Sequence, residues 1–200
     1  GNISIIEAWV FFIVLALISF ALLWFTNALT IKLSIFFGFL IVLYPITKRF
    51  ISAPQFVLGI TFGSGSLIAY SLETSVFSAS ILTLYIGIVA WIISFDTYYA
   101  LQDKNDDLEI GVNSTAILWA ENAIIYSKVL HLAFYASLLT IAIINSFSYF
   151  FFFIFIGLFY LFLYQNKLLK NSDYLGAFKI NNWIGIISVS GFALEIIFLN

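Results

Sequence analysis

WIISFDTYYALQDKNDDLEIGVNST, residues 91–115, is where a long apolar helix runs out into a polar loop carrying four aspartates, Asp96, Asp103, Asp106 and Asp107. If one helix continues through the segment, at 3.6 residues per turn Asp103 lies about 20° to one side of Asp96 and Asp107 about 20° to the other. Three acids then share a stripe. Asp103 and Asp107 are also an i, i+4 pair, near enough to hold one divalent cation, or a cation and its waters, between them. Hard carboxylate oxygens without neighbouring His or Cys favour magnesium over zinc, and magnesium usually arrives with a phosphate.

Outward from that stretch the chain is apolar: 63% hydrophobic and 9% charged over 200 residues, with a mean hydropathy of +1.10. A globular chain has about 25% charged residues. Apolar runs of about 20 residues recur from end to end, so bilayer-spanning helices must supply the architecture. The expected class is all-α, a polytopic membrane bundle of seven spans. With no cysteine, disulfides, thiolate metal sites and cysteine nucleophiles are excluded. The net charge of −2 carries no sign of a nucleic-acid partner, and none is expected. Residue 1 is Gly and the chain lacks Met, so a true N-terminus is expected upstream. The first apolar run is too long for a signal peptide and lacks a basic leader.

The spans are expected at Ile5–Thr26, with Trp9 and Trp24 as interface anchors, and at Ile31–Ile46, ending in YPITKRF. The next run Pro54–Leu72 and Phe77–Phe95, followed by the longest loop, Asp103–Ser114. The last three are Ala123–Asn145, Phe147–Tyr164 and Ile180–Leu199, with Glu195 near the far end. Gly59 and Gly63 form a GxxxG pair suited to close helix packing, or to leaving room for a lipid chain. His131 reads as an interfacial group, and the aromatic run Tyr149-FFFF-Ile154 as a lipid-facing surface. With alternate loops on opposite sides, Lys48, Arg49, Lys104, Lys128, Lys167, Lys170 and Lys179 fall at one face and Lys32 at the other. By the positive-inside rule the acidic loop, and Gly1 with it, opens to the cytoplasm.

Acids between spans can be a solvated connection. Three features point instead to a site. One is their shared helical phase. Another is depth: Asp96 directly follows WIISF, where a deep unpaired carboxylate costs up to about 2.5–3.5 kcal/mol. The third is balance, since Lys48 and Arg49 at the same face can hold the outer oxygens of a phosphate. Tyr98 and Tyr99 either pack against neighbouring spans or offer ring faces to a carbocation.

YPITKRFISAPQFVLGITFGSG and DTYYALQDKNDDLEIGVNSTA together resemble the UbiA superfamily of intramembrane aromatic prenyltransferases, and within it the 4-hydroxybenzoate polyprenyltransferases of ubiquinone biosynthesis. The resemblance runs in order through essentially the whole chain. It implies a nine-helix bundle with two aspartate-rich motifs. This chain corresponds to helices three to nine, as one transmembrane domain lacking about two N-terminal helices, and the first motif, of NDxxDxxxD type, is absent. Asn113 stands where relatives commonly have Lys.

Carried over, the resemblance implies that Asp103 and Asp107 bind Mg2+ on a polyprenyl diphosphate, with Asp106 and Asp96 supporting. Lys48 and Arg49 then contact the diphosphate or the aromatic acid, and Tyr44 orients substrate. Tyr99 and Lys104 join them as substrate-binding candidates. The implied partners are polyprenyl diphosphate, 4-hydroxybenzoate and the lipid bilayer of a bacterial (or mitochondrial) inner membrane. Competing readings are a haem- or menaquinone-pathway prenyltransferase, a non-catalytic segment, and an ion or solute transporter. Transport sites usually lie near the midplane, whereas these acids gather at one face.

Overall fold

In lipid every backbone N–H and C=O must find its partner inside the chain, which leaves helices as the form for apolar runs of this length. The computed structural model describes residues 3–199; Gly1, expected at the face of the acidic loop, lies outside them. The helices are α1 (Ile5–Leu23), α2 (Ala28–Thr47), α3 (Pro54–Ser71), α4 (Ala79–Gln102), α5 (Lys104–Ile110), α6 (Thr115–Leu118), α7 (Ala123–Ile144), α8 (Ile154–Lys170), α9 (Tyr174–Lys179) and α10 (Asn181–Leu194). Among the described residues six segments, built on α1, α2, α4, α7, α8 and α9–α10, are long and apolar enough to cross a membrane. The seventh expected span, α3, is a helix of 18 residues. Its glycines, serines and threonine dilute its hydropathy, so it is not among the six.

Local chemistry sets the helix starts. Ser4 and Glu7 close a capping box on α1 (Ser4 N to Glu7 Oε2 2.8 Å, Glu7 N to Ser4 Oγ 3.2 Å). The Asn27 side chain accepts from the N–H groups of Leu29 and Thr30, both at 3.0 Å, and its amide donates to the Ser71 carbonyl. The start of α2 is thereby tied to the end of α3. Pro54 opens α3, where its missing N–H costs nothing.

Between helices in lipid, association rests on close packing, and α4 is the helix around which it occurs, lying along α3 and α7 and touching α9. Gly59 and Gly63 present bare backbone to α4: a Cβ at Gly59 would lie 3.0 Å from Ile93 Cγ1 and from the Val89 carbonyl. The packing reading of the GxxxG pair therefore holds. On the other flank of α4, Gly87 admits Ser137 of α7, and one turn further Trp91 stacks on Phe134 at 4.7 Å. The Trp91 indole N–H donates to Asn181 Oδ1 at 2.7 Å, fastening α10 to the same helix. Phe134, Leu138, Leu158 and Ile184 form the core between α7, α8 and α10. By contrast α1 buries no residue.

Four expectations are corrected. The helix through the acidic stretch is not continuous: α4 ends at Gln102, Asp103 takes φ −93° and ψ 3°, and α5 starts afresh. Aspartate is a weak helix former, although the Asp103 side chain makes no capping hydrogen bond to α5. The expected long loop is therefore partly helical, α5 ending at Gly111, whose φ of +71° a residue with a Cβ adopts only with strain. His131 is no interfacial group but fully buried, its ring edge-on to Tyr135 at 4.9 Å. The aromatic run is only partly lipid-facing. Phe151 is 2% exposed and packs on Phe147, Phe155 and Phe192, because a short 3-10 turn over Phe151–Phe153 precedes α8.

Candidate active site

The site forms where α4 leaves the bundle and the α2–α3 turn passes beneath it. Because α4 runs on to Gln102, two turns past the expected end of the span, Asp96 is a helical residue with a half-buried carboxylate. The break at Asp103 leaves the one-turn relation to Asp107 intact, since the Asp107 N–H donates to the Asp103 carbonyl at 2.9 Å. Asp106 and Asp107 lie in the first turn of α5, but they face different ways: Asp107 is 8% exposed and Asp106 is exposed.

A set of hydrogen bonds holds the returning chain against this helix end. The Asn113 N–H donates to the Lys48 carbonyl at 2.9 Å, joining the acidic loop to the YPITKR turn. Two residues on, the Thr115 N–H donates to Gln55 Oε1 at 2.9 Å, and its hydroxyl meets the Thr97 hydroxyl at 2.7 Å. Gln55, Thr97, Ser114 and Thr115 are all buried. Ser114 caps α6 by accepting from the Ile117 N–H at 3.3 Å.

The electrostatics follow from this arrangement. Burial pushes the Asp107 carboxyl above its ordinary value; Lys48 opposes it, Asp103 and Asp106 add to it, and a Ser114 hydrogen bond opposes it. Asp96 stands in the field of Lys48, Asp103 and Asp107, with the Gln55 amide beside it, and Tyr44 lies close enough to feel the Asp96 charge. The fold thus brings together Asp96, Asp103, Asp107, Lys48 and Tyr44 from two separate stretches. Asp103, Lys48, Lys104 and Tyr44 are half-buried, while Arg49 is exposed at the end of α2. Tyr99 is 42% exposed, its ring 5.2 Å from that of Phe178 on α9.

Among the described residues no group of three or more His, Asp or Glu side chains is placed to hold a metal ion. Magnesium on a diphosphate needs no such cage, since it keeps several waters and takes one or two carboxylates plus phosphate oxygens. Asp103 and Asp107, one turn apart and coupled in charge, fit that donor set.

On the α10 flank of α4 lies a groove of about 480 Å³, lined by Trp91, Asn181, Gly185, Ile186 and Val189 among others. None of the aspartates lines it.

Sequence reasoning missed Gln55, Thr97, Ser114 and Thr115. The last three lie in the quoted acidic words, and Gln55 had one signal of its own, a large polar side chain at the second position of a helix bounded by lipid.

The UbiA prenyltransferase family model matches residues 1–185. The chain belongs to the UbiA prenyltransferase family. Among its curated relatives is a 4-hydroxybenzoate octaprenyltransferase from Tolumonas auensis, 35% identical over 202 residues, covering 97% of this chain and 69% of the relative. One of the same name from Psychromonas ingrahamii is 36% identical over 203 residues, covering 97% and 69%. A third, from Pseudomonas aeruginosa, is 45% identical over 123 residues, covering 60% of this chain and 41% of the relative. The apo structure of a UbiA homolog from Aeropyrum pernix superposes with a TM-score of 0.82 at 23% identity, covering 98% of this chain and 75% of that one. That likeness concerns the fold: the helical arrangement around α4 is a UbiA arrangement, in an integral membrane protein.

Proposed function

We propose that this protein transfers a polyprenyl group from polyprenyl diphosphate to the ring of 4-hydroxybenzoate, a step of ubiquinone biosynthesis. The observation that carries the reading is the joining of the acidic helix end to the basic turn, Asn113 to Lys48, in a chain whose relatives carry the name of that activity over nearly its whole length. An anionic headgroup needs cations and carboxylate-held metal within reach of one another, and the backbone bond from Asn113 to Lys48 supports that reading.

The reaction breaks an allylic C–O bond, and the electron pair leaves with the diphosphate. Lys48, with Arg49 at the turn, holds the diphosphate oxygens and stabilises the charge that develops on them. Asp103 and Asp107, supported by Asp96 and Asp106, would hold Mg2+, which when bound would supply Lewis-acid stabilisation of the leaving group. Lys104 borders the same anion. The ring carbon ortho to the phenol hydroxyl forms the new C–C bond, and loss of its proton restores aromaticity. Tyr44, beside Asp96, orients the substrate. The polyprenyl tail stays in apolar surroundings among the spans and lipid, so that water is kept from the allylic cation.

Arg49 and the lysines other than Lys32 are read at the end of the bundle that carries the acidic loop. By the positive-inside rule that end faces the cytoplasm of an inner membrane, or the matrix in a mitochondrion.

The test is an acceptor panel in membranes carrying the protein, with labelled 4-hydroxybenzoate, polyprenyl diphosphate and Mg2+. Prenylated 4-hydroxybenzoate that disappears with chelator is the expected product. Prenylation of a menaquinone- or haem-pathway acceptor in place of 4-hydroxybenzoate would overturn the substrate assignment.

A further inference from the structure

Gln55 is 1% exposed at the start of α3, a carboxamide with two donors and a carbonyl to satisfy. Its carbonyl end is accounted for, because the Thr115 N–H, a donor, reaches Oε1 at 2.9 Å. That fixes which end of the amide points where. The NH2 end is directed the other way, and the packing of α3 on α4 identifies what it meets. Gly59 sits against Ile93 and Gly63 against Val89, an antiparallel register that sets Gln55, one turn before Gly59, opposite Asp96 and Thr97, one turn after Ile93. The Thr97 hydroxyl closes the same arrangement from α4, 2.7 Å from the Thr115 hydroxyl.

We propose that Gln55 is a positioning residue for the acidic site, its carbonyl pinning the returning chain at Thr115 while its NH2 group orients the Asp96 carboxylate. This rests on the prenyltransferase reading above and adds to it an uncharged residue that the sequence analysis assigned no role. A carboxylate in a half-buried setting rotates freely unless a donor fixes it, and a site that must hold a metal-chelated diphosphate gains from acids held in one orientation before the substrate arrives. Gln55 does this from a helix whose first turn is anchored by Pro54.

The two ends of the amide can be separated. Gln55→Glu keeps an oxygen for the Thr115 N–H and replaces the donor facing Asp96 by a second negative oxygen. Gln55→Leu removes both. Hydrogen exchange of peptides covering Val112–Thr115 reports the pin, and the Mg2+ dependence of prenyl transfer in membranes carrying the protein reports the orientation of the acids.

Gln55→Glu is expected to retain wild-type exchange protection at Thr115 while kcat/KM falls at least tenfold and the half-saturating Mg2+ concentration rises at least tenfold. Gln55→Leu is expected to lose protection by tenfold or more. Gln55→Asn, one methylene shorter with the same chemistry, should restore part of the activity lost in Gln55→Glu. Wild-type turnover and Mg2+ dependence in Gln55→Glu would overturn the proposal, as would loss of Thr115 protection in that variant. If wild-type protein fails to prenylate 4-hydroxybenzoate but retains Gln55-dependent protection, the substrate reading fails and the pin stands.

Discussion

The Asn113 N–H donates to the Lys48 carbonyl at 2.9 Å, so the acidic loop after α4 and the basic turn after α2 form one unit although 65 residues separate them in sequence. Lys48 is thereby held beside Asp96 and Asp107, and its side chain is felt by both carboxylates. Lys48→Ala should weaken diphosphate binding with the bundle intact. A charge-assisted hydrogen bond contributes about 1.5–3 kcal/mol, so KM for polyprenyl diphosphate should rise about ten- to a hundredfold. Steady-state kinetics in membranes measure this, and an unchanged KM would remove Lys48 from the site.

Asp107 links the site to stability with a definite sign. Its carboxyl is raised by burial in the folded protein, so the folded state binds the proton more tightly than the unfolded one. Stability is then highest below the ordinary carboxylate pKa and falls as pH rises from there through the raised folded value. At neutral pH, without metal, the ionised side chain therefore opposes folding. Asp107→Asn should melt at the same temperature or higher than wild type in EDTA at pH 7, with the difference shrinking toward pH 4, while Mg2+-dependent turnover is lost. Thermal unfolding in detergent at the two pH values measures it.

Packing at α4 makes a prediction independent of chemistry. A Cβ at Gly87 would overlap Ser137 Oγ, and small-to-large changes in a close-packed interior typically cost about 1–3 kcal/mol. Gly87→Ala should lower the melting temperature, and adding Ser137→Ala should recover part of the loss. A double-mutant cycle of unfolding free energies detects that coupling.

His131 is fully buried, and neither ring nitrogen has a hydrogen-bond partner among the described residues. The imidazole packs as a ring between Tyr135 and Phe162. Replacing a buried polar group that lacks a partner by an apolar one of similar shape is near neutral or stabilising. His131→Phe should therefore fold and keep prenyl transfer within about twofold of wild type. A large loss of activity would give the imidazole a chemical role that its surroundings do not suggest.

The helical bundle was legible because lipid imposes one rule on every apolar run, and the runs Ile5–Leu23, Ala28–Thr47 and Ala123–Ile144 obey it with little interruption. The one-turn spacing of Asp103 and Asp107 was legible in the sequence, but the single stripe through Asp96 assumed one continuous helix. The break at Asp103 was not legible, because a single aspartate can sit in a helix or end one. Hydropathy could not assign His131 or Phe151 to the core, since burial in a membrane bundle depends on which face meets a neighbour and lipid is as apolar as that neighbour. Gln55 was passed over for a related reason: its partner Thr115 lies 60 positions away, and only the closure of α3 on α4 brings them together.

The claim on which the account depends is that Asp103 and Asp107 grip a metal-bound diphosphate. Prenyl transfer to 4-hydroxybenzoate, titrated with Mg2+ in membranes carrying Asp103→Ala or Asp107→Ala, tests it most directly. Turnover reduced by a hundredfold or more at every Mg2+ concentration, with each variant inserted in the membrane at wild-type level, is the expected result. Near-normal turnover with an unchanged Mg2+ dependence in either variant would contradict it.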